Sequence, residues 1–594
     1  MAVRRRPSAA IPLGVAAALC VSALFAVSYR KNRGRRRRIA SKERQEHVDL
    51  NQVAVTTNGR APEDDEQVFS LYERVDAEPH APPMELSRSV LALLESFDVD
   101  PVRGFLPRID PLRRLPQAEL QPWEAMAAAL PSLLAVGQAR KPLEALPELS
   151  IGESFYHVLT CHRERMRALL LLCVFAHASV WGNPERPQDT IPRGIAVPLA
   201  ALAAAEGMPP LLTHTSLVLH NWHRLDPSGP VRTENLACNC RFLGGLDETW
   251  FYIATVEIEA RGGGVFGALL EAQHAIAEAA SSSRASNANE ADPNSEASSI
   301  AAARVVLEAL AVAQAGIMSM REALSRMPVG CHPLIFYQRV RPFLSGWKAN
   351  PTLPDGVLYE GVSSRKQQYY GGSAAQSTLF PALDAALEVS HSAHSSNAFL
   401  LDMRSYMPPG HRRLLEHLSD PACPSIRRFV QQFPQRGEEL EACAPTSTPT
   451  PTPPRPQNGN GKKAGVNLSE GALKNDNSAG SDTGKDSSGT TDRSVAGGRG
   501  GGGAGKAGEG GCVQSSTADG LREAYNGCLS ALGDFRSTHL GIVGSYILQQ
   551  QKKDQKAGDA KSREDFAGGK GTGGTPLLDF LKPLKNDSRA VLLK

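Results

Sequence analysis

Near its C-terminal end the chain carries the segment Ala518–Gln551, ADGLREAYNGCLSALGDFRSTHLGIVGSYILQQQ. Its apolar residues recur at three- and four-residue intervals, which predicts one long helix with a single buried stripe. His539 lies in this stripe, four residues after Phe535 and four before Val543, so its ring is expected to face inward, with Arg536 nearly one turn earlier. The stripe consists of Leu529, Leu532, Phe535, Ile542, Val543, Tyr546 and Ile547. An inward histidine is more often a hydrogen-bonded structural residue than a ligand, so this segment alone indicates a helical fold.

Most other apolar segments have the same helical period, and the sequence therefore predicts a mainly all-α fold. The clearest strand signal is Thr249–Ile258, which is rich in aromatic and β-branched residues, although a buried helix can have that composition. Pro408 and Pro409 suit the first turn of the helix that follows them. The predicted helices are Trp123–Val136, Ser154–Ser179, Ile195–Glu206, Gly264–Ala279, Ile300–Arg326, Phe380–Val389 and Gly410–Leu418.

The charge of the 594-residue chain is unevenly distributed. Lys and Arg number 65 and Asp and Glu 62, a balance of +3, but residues 1–38 hold ten of the basic residues and no acidic one. The rest of the chain therefore has a net charge of −7, which argues against a general nucleic-acid-binding protein. None of the ten cysteines forms a CxxC pair, and the only close pair is Cys238 and Cys240. A disulfide scaffold or structural zinc site is not expected, and a reducing compartment fits best.

The basic N-terminal segment flanks an uncharged stretch from Pro7 to Tyr29, 23 residues long. As a helix this stretch measures roughly 35 Å, enough to cross the hydrocarbon core of a bilayer, about 30 Å thick. Seven basic residues follow it, so we predict a membrane anchor with the body of the protein on the cytosolic side. A cleaved organellar transit peptide is the alternative; a secretory signal peptide fits the unpaired cysteines less well.

Three polar segments interrupt the predicted helices. Residues 39–83 are expected to form a tether. Ser281–Ser299 is a polar break between two helical segments, and Pro445–Asp519 is rich in Pro, Gly, Ser and Asn and lacks aliphatic clusters. The composition of the last two predicts disordered insertions into a folded body.

A set of local motifs from residue 84 to the C-terminus resembles the indoleamine 2,3-dioxygenase family. FLSGWK, GGSAAQS and MPPGHR together are highly specific, whereas RSTH alone is a weak signal. These motifs occupy residues 343–348, 371–377, 407–412 and 536–539, accompanied by IPRGIAVP at 191–198, Leu217–Asn221 before Trp222, and KGTGGTPLLDFL at 570–581.

The resemblance implies a small, mostly helical domain at 84–242 and a larger all-helical domain at 243–594 that binds haem b. In that family one histidine is the proximal ligand of the haem iron, and His539 matches it, which leaves the other axial position for O₂. An Arg–Asp pair that orients this side is matched by Arg536 and Asp384; otherwise the two would form a surface ion pair of small energetic value.

The resemblance also implies the reaction, insertion of both atoms of O₂ across the indole 2,3 bond of L-tryptophan to give N-formylkynurenine. The haem would carry the chemistry, so no acid–base catalytic residue is expected. A reductant that keeps the haem ferrous and a monomeric state are further expectations. Two alternatives stay open: a non-catalytic sensor or scaffold that binds haem or tryptophan, and a dioxygenase for another indole.

Substrate-binding residues follow from the same matches. Arg341 matches the arginine that binds the substrate carboxylate, a role suited to a bidentate guanidinium, whereas its neighbour Arg339 is expected to be solvated. Phe336 matches an aromatic residue that packs on the indole ring, and Tyr337 follows it; adjacent aromatics are otherwise plain core. Thr572, with the glycines at 573 and 574, matches a loop that closes over the substrate, or else belongs to a disordered tail.

The haem wall and the distal pocket complete the expected site. Gly372, Ser373 and Ala374 match the small residues of a wall beside the haem, because small side chains let the backbone approach a cofactor; otherwise they mark an ordinary turn. Phe251 matches a pocket phenylalanine. Thr255 replaces a Ser or His and keeps a hydroxyl. His214 stands where a Tyr is common, and it is expected to be either a polar wall of the pocket or a solvated residue. His214, Leu217 and Val218 are the pocket departures that affect substrate stringency.

Overall fold

The computed structural model describes residues 84–148, 155–183, 186–285, 293–391, 394–433, 517–556 and 577–593. Helices dominate these residues, which confirms the mainly all-α prediction. The helices are α1 (Arg88–Ser96), α2 (Gln121–Ala135), α3 (Arg140–Glu144), α4 (Phe155–Val158), α5 (His162–Trp181), α6 (Arg193–Ala205), α7 (Leu246–Arg261), α8 (Gly263–Ala285), α9 (Pro293–Ser325), α10 (Met327–Gly330), α11 (Pro333–Ile335), α12 (Arg341–Leu344), α13 (Leu379–Ala386), α14 (His394–Arg404), α15 (Pro409–Leu418), α16 (Ile426–Gln432), α17 (Thr517–Val543), α18 (Gln549–Lys556) and α19 (Leu577–Ala590).

Short irregular turns and two small sheets connect these helices. Turns of 3₁₀ type lie at Ala118–Leu120, Thr233–Asn235 and Ala374–Gln376, and π-helical turns at Thr215–Leu219, Phe336–Val340 and Gly544–Leu548. The strands are β1 (Thr190–Ile191), β2 (Trp222–Arg224), β3 (Leu236–Cys238) and β4 (Leu358–Tyr359). β1 pairs with β4 in parallel, with Ile191 opposite Tyr359, and β2 pairs with β3 antiparallel, with Trp222 opposite Cys238.

The core is built around α9, which packs against α7, α8 and α17. Val306, Leu310 and Ile317 at the centre of α9 are fully buried. By length and composition the stretch Glu296–Gly330 could also cross a membrane, but one face of it, which includes Val306, Leu310 and Ile317, packs inside this core. Each fully buried aliphatic side chain here contributes about 1.5–3 kcal/mol to folding, so α9 fixes the position of α7 and α17, the helices that carry the expected site.

The strand signal at Thr249–Ile258 is wrong, because these residues lie in helix α7. Three successive backbone N–H groups of residues 242–244 donate to the Glu248 carboxylate at 2.6, 2.8 and 2.9 Å, which caps the chain entry into the helix. Tyr252 and Val256 are both buried. The aromatic and β-branched composition therefore reflects a helix that is covered on several sides, and not a sheet.

The two helices around Ser281–Ser299 reach further into this polar segment than its composition indicates. Helix α8 continues to Ala285 and α9 begins at Pro293. Ser281 and Ser282 donate their hydroxyls to carbonyls one turn back, at 2.9 and 3.1 Å, which satisfies them within the helix. The helix ends therefore lie inside the segment expected to be an insertion.

Other sequence predictions fall partly or wholly outside the described residues. All described residues belong to one packed unit, Glu78–Lys594, so the division at residue 242 stays a prediction. The predictions for residues 1–38, for residues 39–83 and for Thr572 concern residues outside the described part of the chain. Most of Pro445–Asp519 also lies outside it, although its last three residues begin α17.

Candidate haem and substrate site

The inward face of α17 carries the histidine that the sequence singles out. Phe535, one turn before it, packs against Phe380 of α13 with the ring centroids 4.4 Å apart and the rings tilted, which anchors this part of the helix. His539 itself is half-buried. Burial and the nearby Arg536 cation lower the pKa of His539 to about 4. Its imidazole is therefore neutral near pH 7, the form that offers a lone pair to a metal.

Arg536 forms a buried ion pair with Asp384 of α13. One guanidinium nitrogen lies 2.6 Å from each carboxylate oxygen, and both side chains are about nine-tenths buried. Burial alone would raise the pKa of Asp384, but the Arg536 cation and a hydrogen bond from His391 outweigh it and lower that pKa below its ordinary value. The carboxylate stays charged and fixes Arg536 beside the helix turn that bears His539.

A row of aromatic rings links α7 to the π-helical turn Gly544–Leu548, which directly follows α17. Phe251 of α7 lies 4.6 Å from Phe336, measured between ring centroids, and Phe336 lies 5.7 Å from Tyr546. The Tyr546 hydroxyl donates to the carbonyl of Cys331. Thus two residues expected at the substrate pocket, Phe251 and Phe336, are in contact, and Tyr546 connects them to the helix of His539.

All three π-helical turns of the described residues adjoin candidate site residues. Thr215–Leu219 follows His214, Phe336–Val340 runs into Arg341, and Gly544–Leu548 lies just beyond His539. A π turn inserts one extra residue in a helix and shifts the side chains that follow; such turns occur frequently at functional sites. Their clustering here supports a common site, and no sequence pattern indicated it.

Arg341 is buried at the start of α12, where only 4% of it is exposed. Its guanidinium carbon lies 5.7 Å from the centre of the Tyr337 ring, a cation–π contact that accounts for the position of Tyr337. Burial lowers the pKa of Arg341, since taking the cation out of water is unfavourable. Arg339, two residues earlier, is exposed, as expected.

The backbone of the GGSAAQS segment lies directly against the backbone of the FLSGWK segment. A Cβ on Gly371 would overlap the Gly346 nitrogen and the Leu344 carbonyl oxygen, so only glycine fits there. Gly372 is also buried, but a Cβ there would meet just the Leu212 carbonyl oxygen, at 3.6 Å, and otherwise open space. Ser373 accepts a bond from the Ala375 N–H at 3.3 Å and caps the short turn that contains Ala374.

Along α7, Phe251, Thr255 and Glu259 are four residues apart and share one face. The half-buried Thr255 donates its hydroxyl to the Phe251 carbonyl at 2.8 Å, so the oxygen retains a lone pair for a further bond. Glu259 is buried and accepts from Ser377 at 2.6 Å; His214 Nε2 lies 2.9 Å from the same oxygen.

His214 is therefore a buried member of a polar network and not a solvated residue. Its backbone N–H also donates to the Gln376 side chain at 3.0 Å, and Gln376 donates to the Gly371 carbonyl at 2.9 Å. This network ties the π turn after His214, the wall of small residues and the face of α7 to one another. Glu259 and Ser377 were missed by sequence reasoning, although the four-residue spacing from Thr255 points to Glu259.

The residues present fit a haem. The neutral imidazole of His539 is a suitable axial donor, and the open space beside buried Gly372 is a cradle that a Cβ would enter. Within the described ranges no group of three or more His, Cys, Asp or Glu side chains could hold a bare metal ion.

Comparison with known proteins agrees with this geometry. The family model described as indoleamine 2,3-dioxygenase matches residues 93–444 and 511–591. The chain belongs to the indoleamine 2,3-dioxygenase family. This membership makes it an oxidoreductase of the indoleamine 2,3-dioxygenase type, in a family whose enzymes are haem-dependent, and confirms the resemblance seen in the motifs.

Three relatives show the extent of the similarity. The chain is 28% identical to indoleamine 2,3-dioxygenase 1 of Rattus norvegicus over 515 residues, 86% of this chain and 98% of the relative. It is 29% identical to indoleamine 2,3-dioxygenase 2 of Homo sapiens over 523 residues, 87% and 99% of the two chains. It is 36% identical to the Saccharomyces cerevisiae indoleamine 2,3-dioxygenase over 358 residues, 58% and 73%.

Proposed function

We propose that this protein is a haem-dependent dioxygenase that cleaves the indole 2,3 bond of L-tryptophan and yields N-formylkynurenine, the opening reaction of tryptophan catabolism by the kynurenine pathway. The observation that supports this most directly is the neutral, half-buried His539 beside the buried Arg536–Asp384 pair, in a chain of this family. The partners are L-tryptophan, O₂ and a reductant that keeps the iron ferrous, and the protein acts as a monomer.

In this mechanism the bound haem b supplies the redox chemistry with O₂. His539 would hold the iron, while Asp384 keeps Arg536 in place through their ion pair. Phe251 and Phe336, which are in ring contact with each other, would pack against the indole and exclude water. Their apolar surface orients the ring without taking part in proton transfer.

Arg341 binds the substrate carboxylate. A buried guanidinium can pair with a carboxylate through two parallel hydrogen bonds, and its low exposure makes each bond stronger than at the surface. The Thr255 hydroxyl donates to the Phe251 carbonyl, so its oxygen is available as an acceptor for a hydrogen bond from a bound ligand. These residues bind and orient; none is needed as a general acid or base.

A dioxygenase for another indole is the second candidate. The buried His214–Glu259 pair supports it, because His214 matches a pocket position where the family commonly has an aromatic ring. A polar pair there changes which ring substituents the pocket accepts, since a buried acceptor disfavours apolar groups that cannot bond to it.

The test uses the full chain loaded with haem and reduced. L-Tryptophan and O₂ are supplied and N-formylkynurenine is followed by its absorbance, with tryptamine and ring-hydroxylated tryptophans as parallel substrates. Turnover of L-tryptophan is expected, and tryptamine, which lacks the carboxylate, should react poorly. A Soret band without any product would favour a sensor, whereas preference for another indole would support the second candidate.

For localisation we propose a membrane anchor at residues 7–29 with the catalytic unit in the cytosol. The support is the uncharged length of this stretch and the basic residues on both sides of it. Fractionation of the full chain tagged at its C-terminus, with the variant 84–594 as control, tests this. Full-length protein in alkali-resistant membranes and soluble 84–594 are expected; a soluble, shortened product of the full chain would instead indicate a cleaved transit peptide.

A further inference from the structure

His391, which follows α13, lies between two carboxylates that belong to different helices. Its Nε2 is 2.9 Å from Asp384 Oδ2 of α13, and its Nδ1 is 3.2 Å from Asp587 Oδ2 of α19. The side chain of His391 is 10% exposed, and those of Asp384 and Asp587 are 12% and 13% exposed. The ring therefore bridges two largely buried acids, and neither the motifs nor the comparisons assign it a role.

Hydrogen-bond chemistry fixes the protonation state of this bridge. A neutral imidazole has one N–H donor and one lone pair, whereas carboxylates only accept. Both contacts of His391 are favourable only when the ring is doubly protonated. Burial by itself would lower the pKa of His391, but the bonds to Asp384 and Asp587 outweigh it and raise that pKa above its ordinary value.

The charges of the cluster then balance. Asp384 and Asp587 carry two negative charges, and Arg536 and protonated His391 carry two positive ones. Arg536 also donates to Ser588, next to Asp587, and to the Leu584 carbonyl at 3.2 Å. Loss of the His391 proton would leave a net negative charge and would place a ring lone pair against a carboxylate.

These contacts join α19 to the helix that bears His539. We propose that protonated His391 is a positioning residue of the proximal side, which fastens α19 and the Arg536–Asp384 pair to α17 and loosens them as the pH rises. The groups that face His391 in the described structure are Asp384 of α13, Asp587 of α19 and Arg536 of α17. Only the step from Arg536 to haem retention rests on the proposed function.

The direction of the pH effect follows from the raised pKa. A group whose pKa is higher in the folded protein stabilises it fully below the unfolded value, about 6.5 for histidine, and this contribution is lost as the pH rises through the folded value. The bridge is therefore expected to be intact at pH 6 and weakened at pH 8.5.

The experiment measures amide hydrogen exchange of residues 577–593 in the full chain, without substrate, at pH 6.0 and 8.5. In H391Q these amides should exchange about ten-fold faster than in wild type at pH 6.0, and the ratio should fall towards one at pH 8.5. D587N should behave likewise, and the double variant should add no further loss. H391R, a permanent cation with donors on two sides, should restore protection at both pH values.

The matched control is H274Q, because His274 also faces a carboxylate, Glu278, but at a more exposed site. It should leave exchange at 577–593 unchanged. The rate of haem loss, measured in the same variants, should rise in H391Q at pH 6.0 only. A ratio that is the same at both pH values, or no change in H391Q, would overturn the proposal. Since exchange is read without turnover, this failure is distinct from a failure of the tryptophan reaction.

Discussion

At the scale of single residues, His539 is the side chain on which the proposed function depends most. Replacing it by Ala removes the only axial donor proposed for the iron, so we expect H539A to lose stoichiometric haem while its helix content is kept, because Ala favours helices. Haem content per chain and circular dichroism measure the two effects. H274A is the control and should bind haem normally; full haem content in H539A would show that another residue holds the iron.

A second residue-scale prediction concerns Arg341. Lysine keeps the charge but cannot form two parallel bonds to a carboxylate, so R341K should raise the KM for L-tryptophan by about ten-fold or more, which corresponds to roughly 1.4 kcal/mol or above. Its kcat should change less, since the lost interaction is present before the transition state.

The exposed neighbour provides the control for Arg341. R339K should leave both kinetic constants within about two-fold, as surface substitutions usually do. Equal effects of R341K and R339K, or an unchanged KM in R341K, would rule out the carboxylate role. Tryptamine adds a second check, because its KM should be insensitive to R341K.

At the scale of elements, two adjacent glycines are expected to differ in role: Gly371 is needed for backbone packing, whereas Gly372 borders the space proposed for the haem. G371A should destabilise the fold by about 1–3 kcal/mol, because its Cβ would overlap the backbone of the FLSGWK segment. G372A places its Cβ in open space and should leave the unfolding free energy within about 1 kcal/mol.

Haem binding should be affected by G372A, the substitution that leaves the stability of the fold nearly unchanged. If the space beside Gly372 is the haem cradle, G372A should bind haem several-fold more weakly even though its fold is intact. Denaturant unfolding of the haem-free protein and haem titration measure the two quantities. Normal haem affinity in G372A would place the cofactor elsewhere.

The elements also show what the sequence could and could not predict. The periodic stripe of Ala518–Gln551 identified α17 and its inward histidine, because a helix with one buried face imprints its period on the sequence. The segment Thr249–Ile258 gave a wrong strand prediction, because α7 is buried on several sides and its apolar residues therefore do not follow the helical period. The spacing of apolar residues reflects which face of an element is exposed to solvent. Where no face is exposed, that spacing no longer distinguishes a helix from a strand.

The polar networks lay beyond sequence reasoning for a different reason. His391 and Asp587 are 196 positions apart, and Glu259 and Ser377 are 118 apart. No local pattern couples residues at such separations. The packing of α19 near the end of α13 brings the first pair together, and the packing of the GGSAAQS segment on α7 brings the second together. The resemblance supplied Arg536 and Asp384, but the histidine that completes their charge balance became visible only in three dimensions.

At the scale of the whole molecule, the family match has a gap that coincides with the low-complexity segment. It stops at residue 444 and resumes at 511, while composition predicts an insertion at Pro445–Asp519. The end of the first matched segment, residue 444, directly precedes the predicted start of the insertion, Pro445. The residues between the matched segments are thus extra to the family body, and the unit around α9 is expected to fold without them.

Deleting residues 445–510 tests this directly. The deletion shortens the connection between α16 and α17 roughly five-fold, and closure entropy changes by about 0.6 kcal/mol per two-fold change in length, so stability should rise by only about 1–2 kcal/mol.

Haem content and kcat/KM should stay within about two-fold of wild type, because α17 and His539 keep their packing on α9 and α13. Chemical unfolding and steady-state kinetics measure these quantities. The control is deletion of residues 517–530, which lie inside the family match and α17 and whose loss should abolish folding. A loss of haem in the first deletion would mean that the insertion takes part in holding α17 in place.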